Sequence, residues 1–394
     1  MRVLTLSSLF PGAAAPRHGT FVRERLRAFR DGTGAGVKVV SPVPWFPRGV
    51  PSRRYGAFAR APRRETVDGF EVHRPRYAMI PKVGVPLQGI LYELGVRGTV
   101  KRLLREWDFD LLDVHYAYPD GFAGALLAHR LRKPMVLTVR GTDVNQLPDL
   151  KATRDQVRFA LGKADRVVAV SAALAECAVA AGAAEEKTVV LRNGVDPARF
   201  RPLDRDACRA ALGVPSDAAL LVSVGFLVPR KGHDLTIRAV ASLPEAARPH
   251  LLIAGDGPEE ERLRALIAEL GVGDRVRLLG PVEHDALSEV FSAADVSVLA
   301  SSREGWPNVL LESMACGTPV VATAVHGSPE VVRDASVGRL VEERTVEALA
   351  AAIGDALERR FDRAAVRAYA ESMGWEETTR GLHDLFREVL GGAA

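Results

Sequence analysis

Glu304 and Glu312 place two carboxylates eight residues apart, with the sequence EGWPN opening the interval. The run before them, residues 296–300, is short, apolar and β-branched and lies between Asp295 and Ser301. That is the pattern of a strand buried on both faces of a parallel sheet. Glu304 therefore leaves the strand's carboxyl end. Pro307 suits a first helical turn, and residues 309–315 make a short helix that Gly317 stops, so Glu312 is carried on a helix. Open α/β sheets bind ligands where strands end, and loop N–H groups and helix N-termini there receive phosphate. Two carboxylates at that edge suit the hydroxyls of a sugar. The same residues also fit a plain loop charge and an exposed helical glutamate, since an E-x7-E spacing recurs by chance.

The string SSREGWPNVLLESMACGTPV, continued by GTPVVAT and GSPEVV, resembles the donor-binding signature of glycosyltransferase family 4, the retaining, metal-independent enzymes of the GT-B fold. The resemblance implies that Glu304 holds hydroxyls of the donor sugar, Glu312 the ribose, and that Gly305, Trp306 and Asn308 belong to the donor site. GFLVPRKGHD resembles the family's phosphate clamp, a Gly-Arg followed by Lys-Gly. Lys231 matches, but Phe226 stands at the arginine position, and Arg230 is the residue expected to replace its charge. Lys231, Arg230 and the N–H groups of Gly305 and Trp306 would then stabilise the leaving diphosphate. On the acceptor side, the family's histidine after a strand corresponds to Arg140, in MVLTVRGTDVN. A guanidinium stays protonated and cannot serve as a base. Arg140 would instead bind phosphate or a developing charge, with His115 at the end of the preceding strand as the nearest substitute. His115 also fits a histidine packed in the core. Gly12, Gly19 and Asp143 complete the expected cleft loops. No DxD-like pair stands where a metal would be needed, so neither metal nor cofactor is expected.

The elements that must position these residues follow an alternating strand–helix rhythm. Residues 3–6 read as a first strand, followed by a helix begun by Thr20 and closed by Gly32, and then a strand at 37–41. The segment RETVDGFEVHRP predicts a hairpin around Asp68-Gly69. A helix over 87–105 presents Leu91, Leu94, Leu103 and Leu104 on its apolar side; packing in the core and lying at an interface are both open to it. DLLDVH, MVLTV and RVVAVS continue the alternation. The second half restarts with ALLVSVG, LLIAG and RVRLLG before the central stretch. The glycines of GDGPEE suit close approach by a ligand but do not form GxGxxG. Such alternation predicts an α/β protein with two parallel, Rossmann-like domains. We place the first, acceptor-binding domain at 1–200 and the second, donor-binding domain at 201–374. By the resemblance they face an interdomain cleft, and residues 375–394 cross back to the first domain.

The chain has 394 residues, 47% hydrophobic and 26% charged, with a net charge of +4. This suits a protein of two domains, and no apolar run approaches the roughly 20 residues needed to cross a bilayer. Neither nucleic-acid binding nor transmembrane anchoring is suggested. The opening MRVLTLSSLFPGAAAP reads as a first strand rather than a signal peptide, because Ser7, Ser8 and Pro11 interrupt it. Cys177, Cys208 and Cys316 show no paired spacing, which fits a cytoplasmic setting. Eight arginines between Arg48 and Arg76 face only Glu65, Asp68 and Glu71, and either meet something anionic or cover apolar surface.

The expected activity is transfer of a sugar, with retention, from a nucleotide diphosphate sugar to a hydroxyl of a saccharide or lipid-linked acceptor. Bacterial surface polysaccharide or glycolipid synthesis is the expected setting, with peripheral association at the inner face of an anionic membrane. A sugar-nucleotide epimerase and a non-catalytic nucleotide-sugar-binding protein are the alternatives.

Overall fold

The computed structural model describes residues 1–45, 56–79, 84–245 and 248–391. The chain divides into two compact units, residues 1–193 with 375–394, and residues 194–374.

The first unit is built on an eight-stranded sheet. Its strands are β1 (Arg2–Leu6), β2 (Gly36–Val40), β4 (Arg64–Val67), β5 (Phe70–His73), β7 (Leu111–His115), β8 (Met135–Val139), β9 (Arg166–Ala169) and β10 (Thr188–Val190); β3 (Val43–Pro44) and β6 (Arg76–Tyr77) pair separately. The order is β10-β9-β8-β7-β1-β2-β5-β4, parallel except for the β4–β5 hairpin. Asp68 and Gly69 both take positive φ there, as a tight two-residue hairpin turn requires. Chain direction across the sheet reverses between β1 and β7, so the loops after those two strands diverge at a switch point.

Both faces of this sheet are covered. On one, Leu382, Leu385, Phe386 and Val389 of the terminal helix (Glu376–Gly391) pack with Val3, Phe29, Leu111, Val136 and Val168. Phe29 meets Phe386 edge-on at 5.3 Å. The helix Thr20–Thr33 is closed by Gly34, in the left-handed conformation with its N–H on the Arg30 carbonyl, and not by Gly32 as expected. Gly32 lies inside the helix, where a Cβ would come within 2.9 Å of Thr379 Cγ2. Its small size serves helix packing.

The helix Gln88–Trp107 buries Tyr92, Val96, Val100 and Leu103. Leu94, one of the apolar residues for which packing and an interface were both open, is half exposed, together with Leu87 and Ile90. The arginine-rich segment also departs from expectation. Arg74 is buried and donates to Glu65 (2.6 Å), Ser41 Oγ (2.7 Å) and the Phe10 carbonyl (3.2 Å), while Arg64 pairs with Glu71 at 2.8 Å. Arg76 reaches the Ala61 carbonyl. Arg74 and Arg76 are thus internal ties rather than part of an anion-facing patch, whereas Arg64 stays exposed; Arg48, Arg53 and Arg54 lie outside the described residues.

The second unit holds β11 (Leu220–Val224), β12 (His250–Ala254), β13 (Val276–Gly280), β14 (Val296–Leu299), β15 (Val320–Thr323) and β16 (Gly338–Val341), all parallel, in the order β13-β12-β11-β14-β15-β16. The interior strands are mostly apolar because helices cover both faces; Leu221, Ile253, Val298 and Val321 sit in one cluster with Ile237, Leu263 and Ile353. Here the switch point falls between β11 and β14.

Candidate functional site

In the second unit the loops after β11 and β14 meet at that switch point. The turn Pro229–Lys231 ends at Gly232, which adopts φ 68°, and a Cβ there would stand 2.1 Å from the Ala300 carbonyl oxygen. Only glycine permits this approach. It brings Lys231 Nζ to 2.6 Å from Glu304 Oε1, which also accepts from Ser301 Oγ at 2.6 Å. Arg230 Nη1 lies 3.6 Å from the same oxygen and donates to the Arg303 carbonyl at 2.9 Å, while the Ser302 N–H returns to the Arg230 carbonyl. Glu304 is only 7% exposed. Burial pushes its carboxyl upward, but the charges of Lys231 and Arg230, with the hydrogen bonds from Lys231 and Ser301, outweigh that and hold it below the ordinary range. The site residues expected from sequence as phosphate clamp and sugar ligand are thus one ion pair. Arg344, which the sequence did not single out, fixes the same loop through the Ala300 carbonyl at 2.9 Å.

Glu312 stands on the helix Asn308–Ala315, which Pro307 precedes and Gly317 follows. Its Oε1 lies 3.0 Å from His284 Nε2, and His284 packs edge-on against Phe200 at 5.1 Å. No sequence signal joins positions 284 and 312. Gly305 is partly exposed and Trp306 buried, and the Asn308 N–H bonds back to the Trp306 carbonyl at 3.0 Å. The glycines of GDGPEE serve the protein itself: a Cβ at Gly255 would meet the Gly225 carbonyl at 1.9 Å, and one at Gly257 the Leu227 carbonyl at 2.4 Å. Their smallness lets the β12 loop support the β11 loop.

In the first unit, a chain of polar side chains runs across the carboxyl ends of β1, β7 and β8. Arg140 Nη2 donates to His115 Nδ1 at 2.6 Å, and His115 Nε2 lies 2.8 Å from Asp113 Oδ2, which also accepts from Thr5 Oγ1 at 3.2 Å. Because arginine can only donate, His115 must be the neutral tautomer with its proton on Nε2. Burial drives its pKa down to about 4; the Asp113 charge opposes this and Arg140 adds to it. Arg140 Nη1 continues to Asn193 Oδ1 at 3.1 Å, an oxygen that Arg25 Nη1 approaches at 3.4 Å, and the Arg140 guanidinium lies 5.4 Å from the Phe21 ring. His115 is therefore neither a free base nor an inert core residue. It holds the arginine.

The three residues expected in cleft loops each have a local structural part. Asp143 is fully buried, and its oxygens accept the N–H groups of Ala117, Arg140 and Gly141 at 2.7 to 3.2 Å, so it sets the backbone of Arg140 instead of presenting a carboxylate. Gly12 leaves room for Arg74, whose Nη2 a Cβ would approach to 2.1 Å. Gly19 takes φ 74° ahead of the first helix and abuts the Leu9 carbonyl. Sequence reading also passed over Asp120, which is buried on the loop after β7. It accepts from the Ser8 N–H (2.5 Å), Ser8 Oγ (2.9 Å) and Tyr92 OH (2.5 Å), and burial raises it to about 7.

Among the described residues, no group of three or more His, Cys, Asp or Glu is placed to hold a metal ion, and no helix is long and apolar enough to cross a membrane. The cysteines are free thiols.

Two parallel α/β units, each with its polar cluster where strand order reverses, define the GT-B class of fold. Sucrose-phosphate synthase of Thermosynechococcus elongatus shares that fold, at TM-score 0.79 and 22% identity over 100% of both chains. The family described as "Glycosyl transferases group 1" matches residues 204–373, and "Glycosyltransferase Family 4" matches residues 19–199. The D-inositol 3-phosphate glycosyltransferase of Geodermatophilus obscurus is 37% identical over 70% of this chain and 65% of its own, so the match spans slightly less than two thirds of that relative. D-inositol 3-phosphate glycosyltransferase 1 of Catenulispora acidiphila is 33% identical over 75% of this chain and 78% of its own. The chain belongs to glycosyltransferase family 4.

Proposed function

We propose that the protein transfers a sugar, with retention and without a metal, from a nucleotide diphosphate sugar to a hydroxyl acceptor. The convergence of Lys231, Arg230 and Glu304 where the β11 and β14 loops meet carries this reading. A diphosphate at this edge shares Lys231 with Glu304, and as Lys231 turns to the phosphates Glu304 Oε1 becomes available to donor-sugar hydroxyls. The leaving diphosphate gains charge as its bond to the sugar breaks, so the two cations stabilise the transition state more than the ground state. Glu312, oriented by His284, takes the ribose. Gly305, Trp306 and Asn308 line the phosphate side of the same loop.

On the acceptor unit, Arg140 is held at two nitrogens by His115 and Asn193, which aims a fixed positive charge rather than a base. A phosphate-bearing acceptor suits it, in keeping with relatives named for D-inositol 3-phosphate. Use in surface polysaccharide or glycolipid synthesis would bring the protein to the inner face of a membrane. Leu87, Ile90 and Leu94 are half exposed at helical spacing, and Arg97, Lys101 and Arg105 continue that spacing, a pattern suited to an anionic bilayer.

The deciding experiment offers UDP-, GDP- and ADP-sugars with inositol phosphate, oligosaccharide and lipid acceptors, in the presence of EDTA, and measures nucleoside diphosphate and glycoside together. Joint formation of both, with the donor's anomeric configuration in the product, supports the reading. Interconversion of donor sugars without glycoside identifies an epimerase. Tight donor binding without turnover identifies a binding protein.

A further inference from the structure

At the opposite, amino-terminal edge of the second unit's sheet lies a cavity of about 540 Å³ that the transfer reaction does not use. Its walls come from residues just ahead of three strands: Ala219 before β11, Asp295 before β14 and Pro319 before β15. The five-residue β11 rises roughly 3.3 Å per residue, so the cavity stands about 16 Å from the Lys231 loop.

The lining carries five arginines, Arg205, Arg209, Arg359, Arg360 and Arg363, against Asp217 and Asp295, a surplus of three positive charges. Two of the arginines are structural. Arg209, 2% exposed, donates to the carbonyls of Ala293, Ser216 and Ala218 and pairs with Asp295 at 2.8 Å; Arg363 donates to the Ala294 carbonyl and Thr318 Oγ1. Carbonyls satisfy their hydrogen bonds but not their charge. Asp295 alone answers Arg209 and Arg205 while also accepting the Leu220 N–H. Burial, with repulsion from Arg205, lowers the pKa of Arg363, as expected where cations crowd. Arg205 is 41% exposed, its Nε is buried without a hydrogen-bond partner, and Arg359 and Arg360 stand exposed at the rim, with the Arg359 guanidinium 5.2 Å from the Phe361 ring.

We propose that this pocket is a second anion site, which takes a small molecule bearing one or two phosphate groups. A single carboxylate leaves most of the surplus charge unanswered, whereas a phosphate matches both the charge and the forked geometry of guanidinium groups. The volume is that of a metabolite site, and Phe361 supplies one apolar wall.

The test is calorimetric titration of the full chain with pyrophosphate, a hexose 6-phosphate and ADP. Arg359→Ser/Arg360→Ser removes the two rim cations, neither of which makes a side-chain hydrogen bond among the described residues, so the melting temperature without ligand should hold. Pyrophosphate should bind at two sites in the wild type. Lys231→Ala should remove one, and Arg359→Ser/Arg360→Ser should weaken the other about tenfold or more, which is about 1.4 kcal/mol. The tightest of the three probes affected by the double substitution names the scaffold that carries the phosphate. Unchanged affinity and stoichiometry for all three in that variant overturns the proposal, as does loss of all binding in Lys231→Ala alone. Loss confined to the double substitution upholds this site and counts against the donor site instead.

Discussion

Substituting Glu304 by glutamine separates the sugar role from the clamp, because the two effects have opposite signs. The side chain keeps its size and one acceptor oxygen but loses the charge that faces Lys231 Nζ at 2.6 Å and Arg230 Nη1 at 3.6 Å. The gross attraction to Lys231 is roughly 6 kcal/mol at an effective dielectric constant of about 20. Desolvation takes back much of this, and breaking one side of a buried pair costs about 3 to 5 kcal/mol. For a unit of this size that lowers the melting temperature by roughly 10 °C. Sugar transfer loses a charge-assisted hydrogen bond worth about 1.5 to 3 kcal/mol, and so falls roughly ten- to a hundredfold. Lys231, released from its competitor, should bind the bare nucleoside diphosphate as well as before or more tightly. Paired measurements, kcat/KM for transfer and calorimetric Kd for the bare nucleotide, read the two effects separately. If nucleotide affinity fell in step with transfer, Glu304 would be a structural support of the loop and not a rival for the lysine. Full transfer activity would remove the loop from the sugar site.

Four further outcomes follow from named contacts. Lys231→Ala should weaken nucleotide binding and slow transfer together by more than about tenfold, and Arg230→Ala should do the same less severely, since its guanidinium is already engaged by the Arg303 carbonyl; steady-state kinetics with calorimetry checks both. Arg140→Lys should slow transfer at least about tenfold with little change in bare-donor affinity, because an ammonium cannot bridge His115 and Asn193 as one guanidinium does. Asp120 titrates near 7 when folded and about 4 when unfolded, so between those values the folded state holds the extra proton and stability is lost as pH rises, by up to about 1.4 kcal/mol per pH unit; Asp120→Asn should flatten the corresponding fall in melting temperature between about pH 5 and 8. Leu94→Glu should lower sedimentation with phosphatidylglycerol vesicles while leaving the melting temperature unchanged, and equal sedimentation of the two proteins refutes the membrane face.

The parts of the fold legible in sequence are those where one physical constraint acts on consecutive residues. β14 is buried on both sides, so every position had to be apolar or small, and the strand was readable from VSVL alone. Asp68-Gly69 had to supply two positive φ angles in a row, which few pairs do readily. The Gln88–Trp107 helix carries apolar residues on two sides, so periodicity could not say whether Leu94 or Val96 faces the sheet. The structure turns Val96 inward.

Charge was the least legible quantity, because a guanidinium's role depends on partners far away in sequence. Arg74 looked like part of a basic surface, yet it is spent on Ser41, Glu65 and the backbone at Phe10. Asp143 looked like a loop acid facing a ligand, yet three backbone N–H groups consume it. The same long-range accounting explains how an arginine is accommodated at position 140. A buried arginine requires acceptors, and Asp143 fixes its backbone while His115 and Asn193 receive its two terminal nitrogens. His115 is kept neutral by burial and by the neighbouring Arg140 charge, against the pull of Asp113, so it accepts from the guanidinium without adding a charge of its own. What these contacts fix at position 140 is the orientation of a guanidinium, a group that donates hydrogen bonds and cannot accept a proton.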